Sequence, residues 1–522
     1  MKPLFVDTRP LDGRARTELC LTSDILMENA AAALEESVMR FLGASCCCAD
    51  TEKCCGLRES HGCAESVRVL IVCGSGDNGA DGLVLARRLK GKAIGSALIE
   101  PCVLQFLPPK SEGCKLQFER AKKIGVNFID EIEAASDAAV IVDCLFGSGF
   151  HGTLDGKAQK LIESLNSMSG YKIACDVPSA LDCAIKGSGV PFAADETVTM
   201  GAPKIQLYLD GAKDYAGKIY TASLGMSDAV FAGTFKPDAF LLEKADLKLP
   251  SRQKLNVHKG SFGHAAVVCG TRPGASIIAA SAAMHFGAGL VTLVNASAAS
   301  SFSLPYELML SDKVPETATA LAIGMGLGRE RQSFAPYLEL LKDGEVPAVI
   351  DADMFYCKSL PQILEARSKK CAQGNKGAAT ILTPHPKEFA ELLKNCGLAD
   401  VSATDIQKDR LGYAKILCSV YKDIVLIFKG STPIISVFSE DSGFEAFFNP
   451  HGNAMLAKGG SGDVLSGLVA ALLAQSWCAK QAAVQASLAH ALASNSATSK
   501  ISSYAFTPSS LIEEISLLEK QI

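Results

Sequence analysis

Short apolar runs alternate with longer stretches of helical periodicity along most of the chain. In the first half, apolar runs at residues 67–73, 103–107, 139–142 and 172–175 predict strands, because each is a short aliphatic segment between polar or glycine-rich stretches. Helical stretches separate these runs. Strands that alternate with helices form a parallel sheet with helices on both faces. The first half is therefore predicted to be a Rossmann-like α/β domain.

Two helices are predicted beside these strands. Residues 14–42 form one helical stretch, and its apolar face consists of Leu19, Ile25, Leu26, Ala30, Ala33 and Leu34. The run at 67–73 leads into a glycine-rich turn over residues 74–82, after which a helix is predicted over residues 83–89. The turn therefore stands between a strand and a helix.

The alternating pattern fades over residues 226–256, where Lys, Pro and Asp gather, and it restarts at Lys259. A chain of 522 residues is also too long for one ordinary core. We therefore predict two domains, at residues 1–230 and 245–522. The second domain is again predicted to be α/β, with strands at 265–269, 290–294, 349–350, 379–382 and 424–428.

Composition and charge argue against several classes of protein. Hydrophobic residues make up 48% of the chain and charged residues 20%, which indicates a well-buried soluble protein. The net charge of −5 gives no general attraction to nucleic acid or to anionic membranes. The N-terminal sequence has no signal-peptide core, and no apolar stretch is long enough to span a membrane. We expect a cytoplasmic protein with no nucleic-acid or membrane partner.

The chain contains 19 cysteines, which we expect to be reduced thiols because no secretory signal is present. Six of them crowd into one segment and could bind zinc: Cys46, Cys47, Cys48, Cys54, Cys55 and Cys63. Their spacing is irregular, and the three consecutive cysteines cannot easily share one tetrahedral site. We therefore interpret the segment as a loop insertion.

The run from Asn449 to Asp463 carries the strongest chemical signal. It ends in Gly459-Gly460-Ser461-Gly462-Asp463, and an apolar helical pattern follows at 464–473. Glycine lets the backbone turn tightly, and a helix start presents unpaired N–H groups, so the segment is suited to phosphate. Asp463 would then take a proton from a hydroxyl that receives a phosphoryl group. The alternative is a glycine-rich loop in which Asp463 only caps the helix.

Acidic residues follow several predicted strands of the first half. Asp143 and Asp176 each stand at the end of a strand, and Pro203-Lys204 comes later in the chain. Ligands of open parallel sheets bind at the carboxyl ends of the strands, where these acids and the Gly74–Gly82 turn would lie together. The alternative for the turn is tight packing alone.

These motifs resemble the NAD(P)H-hydrate epimerase domain. The resemblance rests on Leu26-Met27-Glu28-Asn29-Ala30, Gly76–Gly82, Asp143–Gly149, Asp176–Ser179 and Pro203-Lys204. It implies that Asp176 is the acid/base group, and that a potassium ion is held by Asn78, Asp143 and Ser179. The hydrated dinucleotide would be lined by Asp77, Asn78, Gly79, Ala80, Asp81, Gly147, Ser148, Gly149, Phe150, His151, Gly152, Thr153 and Asp176. This chain departs from the family pattern at Asp77, Ala80, His151 and Ala180, where the family has or often has Asn, Gly, Arg and Gly.

The motifs of the second half are similar to those of the ADP/ATP-dependent NAD(P)H-hydrate dehydratase family, a branch of the ribokinase-like fold. The similarity rests on Gly459–Gly467, Thr383–Phe389 and Asp351-Ala352-Asp353. It implies that Asp463 is catalytic and that Mg²⁺ accompanies ADP or ATP. The hydrate would contact Ala275, Gly326, His385 and Asp463. The nucleotide would contact Lys429, Gly430, Ser431, Thr432, Pro433 and Gly462.

A chain with both domains resembles the bifunctional NAD(P)H-hydrate repair enzymes. The resemblance implies that the first domain interconverts the R and S hydrates of NADH and NADPH. The second domain would dehydrate the S hydrate, with ADP favoured over ATP as donor and with release of phosphate and AMP. We also expect a homo-oligomer. Two alternatives stay open, a small-molecule kinase in the second half and a non-catalytic dinucleotide-binding first domain.

Overall fold

The computed structural model describes residues 1–45, 66–150, 154–295 and 304–520. The chain divides into two compact units, Pro3–Asp238 and Ala239–Ile522, and the second unit also includes Met1–Lys2. The strand Lys2–Leu4 spans this division. The cysteine-rich segment lies outside the described residues. Among the helices that the structure describes, none combines the length and the apolar character needed to cross a membrane.

The first unit is a parallel sheet flanked by helices, which confirms the predicted architecture. Its strands lie in the spatial order Ala93–Ile94, Ala97–Gln105, Ser66–Cys73, Val140–Cys144, Tyr171–Cys175, Glu196–Met200 and Lys218–Ala222, and Asn127–Ile129 pairs with Ala97–Gln105. The pairs are parallel except for the one formed by Ala93–Ile94. The α-helices are Arg9–Thr17, Ser23–Ser45, Asp77–Leu89, Glu112–Ile124, Gly156–Ser167, Leu181–Lys186 and Asp228–Ala232, and the 3₁₀ helices are Ile132–Ala135, Ile205–Tyr208 and Asp210–Ala212.

The single helix predicted over residues 14–42 is wrong, because the structure has two helices there. Arg9–Thr17 ends before Cys20, whose φ of 56° is incompatible with a continuing right-handed helix. The next helix begins at Ser23. The apolar positions of both helices happen to fall in one continuous pattern, so periodicity alone hides the break.

The helix predicted over residues 83–89 begins earlier, at Asp77, within the glycine-rich turn. A Cβ atom at Gly79 would lie 2.2 Å from the carbonyl oxygen of Gly74. Glycine therefore lets the first helical turn pack directly against the end of the strand Ser66–Cys73, and the turn and the helix start are one feature.

The second unit is also an α/β structure. Its strands lie in the order Ala239–Leu241, Gly443–Phe448, Ile434–Ser439, Ile424–Phe428, Thr380–Leu382, Ala348–Ile350, Ala320–Ile323, His264–Val268, Leu290–Val294 and Met309–Ser311. Ile434–Ser439 is antiparallel to both neighbours, and the other pairs are parallel. The predicted strands at 290–294 and 424–428 are confirmed at both ends.

Helices cover the sheet of the second unit. The α-helices are Pro273–His285, Arg331–Phe334, Leu338–Asp343, Leu360–Ala372, Pro386–Asn395, Ala403–Lys408, Arg410–Val420, Ser461–Ala474, Ala479–Ala497 and Pro508–Leu517. The 3₁₀ helices are Lys244–Asp246, Lys259–Phe262, Ala335–Tyr337, Ala352–Tyr356, Lys376–Ala378, Ala454–Leu456, Ser503–Ala505 and Leu518–Lys520. The helix Ser461–Ala474 is buried from Val464 to its end, as expected of an apolar helix at the centre of a unit.

Gly467 fixes the closest contact of this buried helix. A Cβ atom at Gly467 would lie 2.1 Å from the carbonyl oxygen of Ala279 and 2.8 Å from the Cβ atom of Ala282. Because Gly467 has no side chain, the helix Pro273–His285 packs directly against the backbone of Ser461–Ala474. This contact sets the position of the first turn of Ser461–Ala474, where Asp463 lies.

We predict that Gly467→Ala destabilises the second unit by about 1–3 kcal/mol, because the added methyl group forces the two helices apart. Urea unfolding followed by fluorescence of Trp477, the single tryptophan of the chain, measures this unit. Gly274→Ala, on the same helix pair but with nothing within 4 Å of the new Cβ atom, is the control. The control is expected to be neutral or stabilising, and equal stability of both variants would contradict the packing argument.

Candidate active sites

A cavity of about 510 Å³ lies at the carboxyl ends of the parallel strands of the first unit. That volume suits a small-molecule ligand. Eight of the sequence-predicted site residues line the cavity: Asp77, Asn78, Asp81, Gly147, Ser148, Gly149, Phe150 and Asp176. Gly79 and Ala80 do not line it but are buried in the first turn of the helix Asp77–Leu89. His151, Gly152 and Thr153 lie outside the described residues.

Asp176 is the best-anchored acid of the cavity. It follows the strand Tyr171–Cys175 and has a φ of 68°, which is unusual for a residue other than glycine. Its Oδ1 atom lies 2.6 Å from Nζ of Lys204, and its Oδ2 atom accepts a hydrogen bond of 3.0 Å from the N–H of Ser148. Burial opposes ionisation, but Lys204 and Ser148 together lower the pKa of Asp176 below its ordinary value. Asp176 is therefore a carboxylate at neutral pH.

Asp143 and Ser179 form a second buried group outside the lining of the cavity. Oδ1 of Asp143 accepts a hydrogen bond of 2.7 Å from the hydroxyl of Ser179, and Oδ2 accepts one of 2.8 Å from the N–H of the same residue. Burial raises the pKa of Asp143 to about 6, and no cation among the described residues offsets it. The site therefore combines three kinds of oxygen: the buried carboxylate of Asp143, the hydroxyl of Ser179, and the carbonyl of Phe146, which lies 3.3 Å from that hydroxyl.

Asn78, the third predicted potassium ligand, faces the cavity. A Cβ atom at Gly147 would lie 3.2 Å from Oδ1 of Asn78 and 3.3 Å from Oδ2 of Asp176, so these three residues converge. The Nδ2 atom of Asn78 is buried and has no hydrogen-bond partner within the part of the chain that the structure describes. A buried donor without a partner is costly, so this amide is suited to a ligand.

In the second unit, Lys429 stands at the centre of a cluster of carboxylates. It follows the strand Ile424–Phe428, and its Nζ atom lies 2.8 Å from Oδ1 of Asp351 and 3.8 Å from Oε2 of Glu388. The other oxygen of Asp351 accepts a hydrogen bond of 2.7 Å from Ser466, which lies on the helix Ser461–Ala474. Asp351 therefore connects the lysine to the helix that carries Asp463.

Asp463 lies in the first turn of the helix Ser461–Ala474, and Gly460, with a φ of 95°, caps that helix. The alternative in which Asp463 caps the helix is therefore wrong. Lys429 lies over the same turn, because a Cβ atom at Gly462 would be 3.3 Å from its Nζ atom. Burial and the charge of Asp351 raise the pKa of Asp463 to about 7, while Lys429 opposes the shift. A carboxylate with such a pKa is well matched to accepting a proton near neutral pH.

His385 caps the helix Pro386–Asn395 through a reciprocal pair of contacts with Glu388. Its Nδ1 atom accepts a hydrogen bond of 3.2 Å from the N–H of Glu388, and its own N–H donates one of 2.9 Å to the Glu388 carboxylate. Burial and the neighbouring Lys429 lower the pKa of His385. Burial raises the pKa of Glu388 to about 7, with Lys429 opposing.

Ala275 and Gly326, the other predicted hydrate contacts, come together at the same edge of the sheet. The N–H of Arg272 donates to the carbonyl of Gly326 at 2.9 Å, and the Ser276 hydroxyl donates to the carbonyl of Met325 at 2.8 Å. These bonds place the first turn of the helix Pro273–His285 against the loop that contains Gly326.

The predicted nucleotide loop, Lys429–Pro433, is held from behind by Arg410. Its guanidinium donates to the carbonyl oxygens of Thr432 at 2.9 Å, Phe428 at 2.9 Å and Lys429 at 3.2 Å. Gly430 and Ser431 stay exposed, while Thr432 is buried. The loop is therefore rigid at its ends and open to solvent in the middle.

Several residues of these sites were not assigned a role from the sequence. Lys204, Asp351 and Glu388 belong to recognised motifs, but their ion pairs join positions far apart in the chain. Ser466 follows Asp463 by one helical turn, which is a spacing that could have placed it on the same face. Asp12, which also lines the cavity of the first unit, belongs to no motif.

Known proteins are similar to this chain over almost its whole length. The family model described as NAD(P)H-hydrate dehydratase matches residues 265–517, and the one described as YjeF-related protein N-terminus matches residues 23–206. The chain is 39% identical to the bifunctional NAD(P)H-hydrate repair enzyme Nnr of Helicobacter pylori, over 99% of this chain and 100% of that protein. It is 31% identical to the enzyme of that name from Coxiella burnetii, over 83% and 86% of the two chains.

A solved structure is also similar to part of the chain. The ADP/ATP-dependent NAD(P)H-hydrate dehydratase from Bacillus subtilis, co-crystallised with ATP and Mg²⁺, is 24% identical, with 54% of this chain and 99% of that chain covered and a TM-score of 0.43.

We predict that Lys204→Met destabilises the first unit by about 3–5 kcal/mol near neutral pH, because Asp176 is left buried and unpaired. The pKa of Asp176 should then rise. The wild type loses stability as pH falls through the lowered pKa of Asp176. The variant instead loses stability as pH rises, because the pKa of its buried Asp176 is raised. The difference in stability between the two should therefore grow with pH.

Urea-dependent hydrogen exchange of the strand Tyr171–Cys175 measures this difference in the first unit alone. Lys186→Met removes an exposed ion pair with Asp182 and should change stability by less than about 0.5 kcal/mol. A loss for Lys204→Met that does not depend on pH would contradict the assigned ion pair.

Proposed function

This chain belongs to the family of bifunctional NAD(P)H-hydrate repair enzymes, and we propose how its residues divide the repair. The first unit carries NAD(P)H-hydrate epimerase activity, and the second carries NAD(P)H-hydrate dehydratase activity. The alternative of a small-molecule kinase is not favoured, because the similarity extends over both units. The observation that carries the assignment of residues is the position of Asp463 beside Lys429 at the start of a helix.

The dehydratase chemistry follows from a poor leaving group. Hydroxide leaves carbon slowly, whereas phosphate leaves readily, so transfer of a phosphoryl group to the hydroxyl of the S hydrate prepares it for elimination. Asp463 takes the hydroxyl proton as the oxygen attacks the terminal phosphorus of the nucleotide. The carbon–oxygen bond then breaks and phosphate departs, and the proton on the neighbouring carbon passes to the departing phosphate or to water, which restores the double bond. With ADP, the products are NAD(P)H, phosphate and AMP.

Lys429 and the helix start stabilise the phosphoryl group during transfer. The N–H groups of Gly462 and Asp463 have no carbonyl partner among the residues described, as expected for the first turn of a helix. Together with the ammonium of Lys429, they offer donors and positive charge where negative charge develops. Gly430 and Ser431, in the exposed loop held by Arg410, contact the nucleotide.

Mg²⁺ would be held chiefly by the nucleotide phosphates, as is usual for this ion. The acid that fits it here is Glu388, which lies 3.8 Å from Lys429; burial raises its pKa to about 7, and a nearby divalent cation would keep it ionised and leave Asp463 free to act as the base. The ion would neutralise charge on the phosphates. We propose ADP as the preferred donor on the basis of family resemblance.

In the first unit, Asp176 acts as the base of the epimerase. Its ion pair with Lys204 keeps it ionised, and its position in the cavity gives it access to a bound hydrate. Potassium fits the oxygen donors of Asp143 and Ser179, with Asn78 as the third proposed ligand, and it would balance the buried charge of Asp143. We extend the proposal to a homo-oligomer in the cytoplasm, which gel filtration and fractionation would test.

We predict that Asp463→Asn lowers the rate of S-hydrate dehydration by about 10²–10⁴-fold, because the amide keeps the shape but cannot accept a proton. In the wild type, kcat/KM should rise with pH through about 7, a value that belongs jointly to Asp463 and Glu388. The nicotinamide absorbance follows the reaction.

Two controls accompany this variant. Epimerisation by the same protein should be unchanged, and Asp405→Asn, at an exposed ion pair with Lys408, should dehydrate normally. Dehydration by Asp463→Asn within a few-fold of wild type would refute the role of Asp463 as the base.

We predict that epimerisation rises with KCl concentration to a plateau at constant ionic strength, and that Asp143→Asn removes this dependence. The amide cannot supply the negative charge that favours a cation. Dehydration of the S hydrate should not respond, and Asp137→Asn, at an exposed position of the same unit, should behave like wild type. Equal epimerase rates in potassium and choline salts would end the potassium assignment.

A further inference from the structure

Asp12 is an acid of the epimerase cavity that the sequence motifs do not include. It lies on the helix Arg9–Thr17, which precedes the residues 23–206 that match the family model. The helix is firmly placed, because Leu11 and Ala15 are each 1% exposed and Arg14 donates a hydrogen bond of 2.7 Å to the carbonyl of Val230. Asp12 is therefore carried by a fixed helix and forms part of the wall of the cavity.

Asp12 lies in the first turn of its helix, where the helix macrodipole favours an acid, but hydrogen bonding does not account for its side chain. The Asp12 carboxyl forms no hydrogen bond with any residue in the described ranges, and it does not cap its helix, which begins after Thr8. Placing an acid in a partly buried wall without such a partner is unfavourable. Burial raises the pKa of Asp12 to about 6, while Lys204 opposes the shift and Asp176 adds to it.

Asp12 and Asp176 thus share one cavity but differ in environment. Asp176 is paired directly with Lys204 and stays ionised, whereas Asp12 lacks a direct partner and holds its proton more readily. Two acids whose surroundings separate their protonation states are typical of an acid and a base that act on one substrate.

Inversion of the hydrate requires both functions. Water adds to the enamine of NADH or NADPH at the carbon next to the ring nitrogen, so the hydroxyl sits on C6, bonded to N1. The hydroxyl leaves this carbon easily only if it receives a proton. A water molecule that attacks the opposite face must in turn lose one.

We propose that Asp12 is the general acid of the epimerase and Asp176 its base, an assignment that rests on the proposed function of the first unit. Asp12 donates its proton to the C6 hydroxyl, the C6–O bond breaks, and the N1 lone pair forms a C6=N1 iminium with release of water. A second water attacks C6 from the other face and gives its proton to Asp176. The ring nitrogen recovers its lone pair, and no oxidant or reductant is consumed. The reverse reaction uses the two acids in exchanged roles.

The test uses the full chain with purified R hydrate and no nucleotide, and follows formation of the S hydrate after subtraction of the spontaneous rate. Asp12→Asn should lower kcat by about 10²–10⁴-fold and change KM by only a few-fold. Dehydration of the S hydrate with ADP should be unchanged. Glu18→Gln, at the end of the same helix and outside the cavity lining, is the matched control and should epimerise normally.

Two further readouts separate an acid from a merely structural residue. An acid must be protonated, so the wild-type kcat/KM should fall as pH rises through about 6, and Asp12→Asn should lose this limb. Asp12→Glu keeps an acidic proton and should recover at least tenfold over Asp12→Asn. The charged groups that act on Asp12 or respond to it are Asp7, Arg16, Asp81, Asp176 and Lys204.

Isotopes test the bond that breaks. In ¹⁸O-labelled water, each inversion should place one labelled oxygen on C6, whereas retention of the original oxygen with uptake of deuterium from D₂O would overturn the proposal. Normal epimerisation by Asp12→Asn, or equal losses in Asp12→Asn and Asp12→Glu, would also overturn it. If Asp176→Asn alone keeps the wild-type rate, the proposed function of Asp176 fails while the role of Asp12 is judged on its own variants.

Discussion

Both sites depend on a lysine ammonium that stabilises carboxylates gathered at the ends of parallel strands. Lys204 lies 2.6 Å from Asp176 in the first unit, and Lys429 lies 2.8 Å from Asp351 in the second. Parallel strands bring their carboxyl ends to one edge, so acids that follow several strands necessarily become neighbours. Their mutual repulsion and partial burial would favour protonation without a cation. Lys204 therefore favours the ionised form of Asp176, and Lys429 opposes the upward pKa shifts of Glu388 and Asp463.

The sequence predicted the strands better than the helix boundaries, and the reason is physical. Strands buried on both faces are largely apolar, so Ile424–Phe428 stands out as a continuous run and Leu290–Val294 is interrupted only by Thr292. The break between Arg9–Thr17 and Ser23–Ser45 depends on one backbone angle at Cys20, which leaves the apolar pattern intact. The glycines of residues 74–82 predict a turn, because glycine is typical of loops, whereas Gly79 lies in the first turn of the helix and packs against the carbonyl of Gly74.

Local motifs also explain which site residues could be predicted. The glycines beside Asp463 indicate a functional site there, and the Pro and Glu that follow His385 do the same for that residue. The roles of Asp351 and Ser466 arise from a hydrogen bond between residues 115 positions apart, which periodicity cannot reveal. Asp12 is harder still, because an isolated acid on an amphipathic helix is normally solvated. Only the fold shows that this position faces a cavity.

The distance from the lysine also explains why the two proposed bases, Asp176 and Asp463, differ in pKa. Asp176 has a direct ion pair and accepts backbone donors, which lower its pKa and keep it ionised throughout the neutral range. In the second unit Asp351 takes the direct contact with Lys429, so Asp463 receives only its longer-range attraction, and its pKa rises to about 7. A weakly held proton near neutral pH suits an acid that must accept a proton from a hydroxyl and later release it. Asp351 thus raises the pKa of Asp463 in two ways. It takes the direct contact with Lys429, and its own negative charge disfavours ionisation of Asp463.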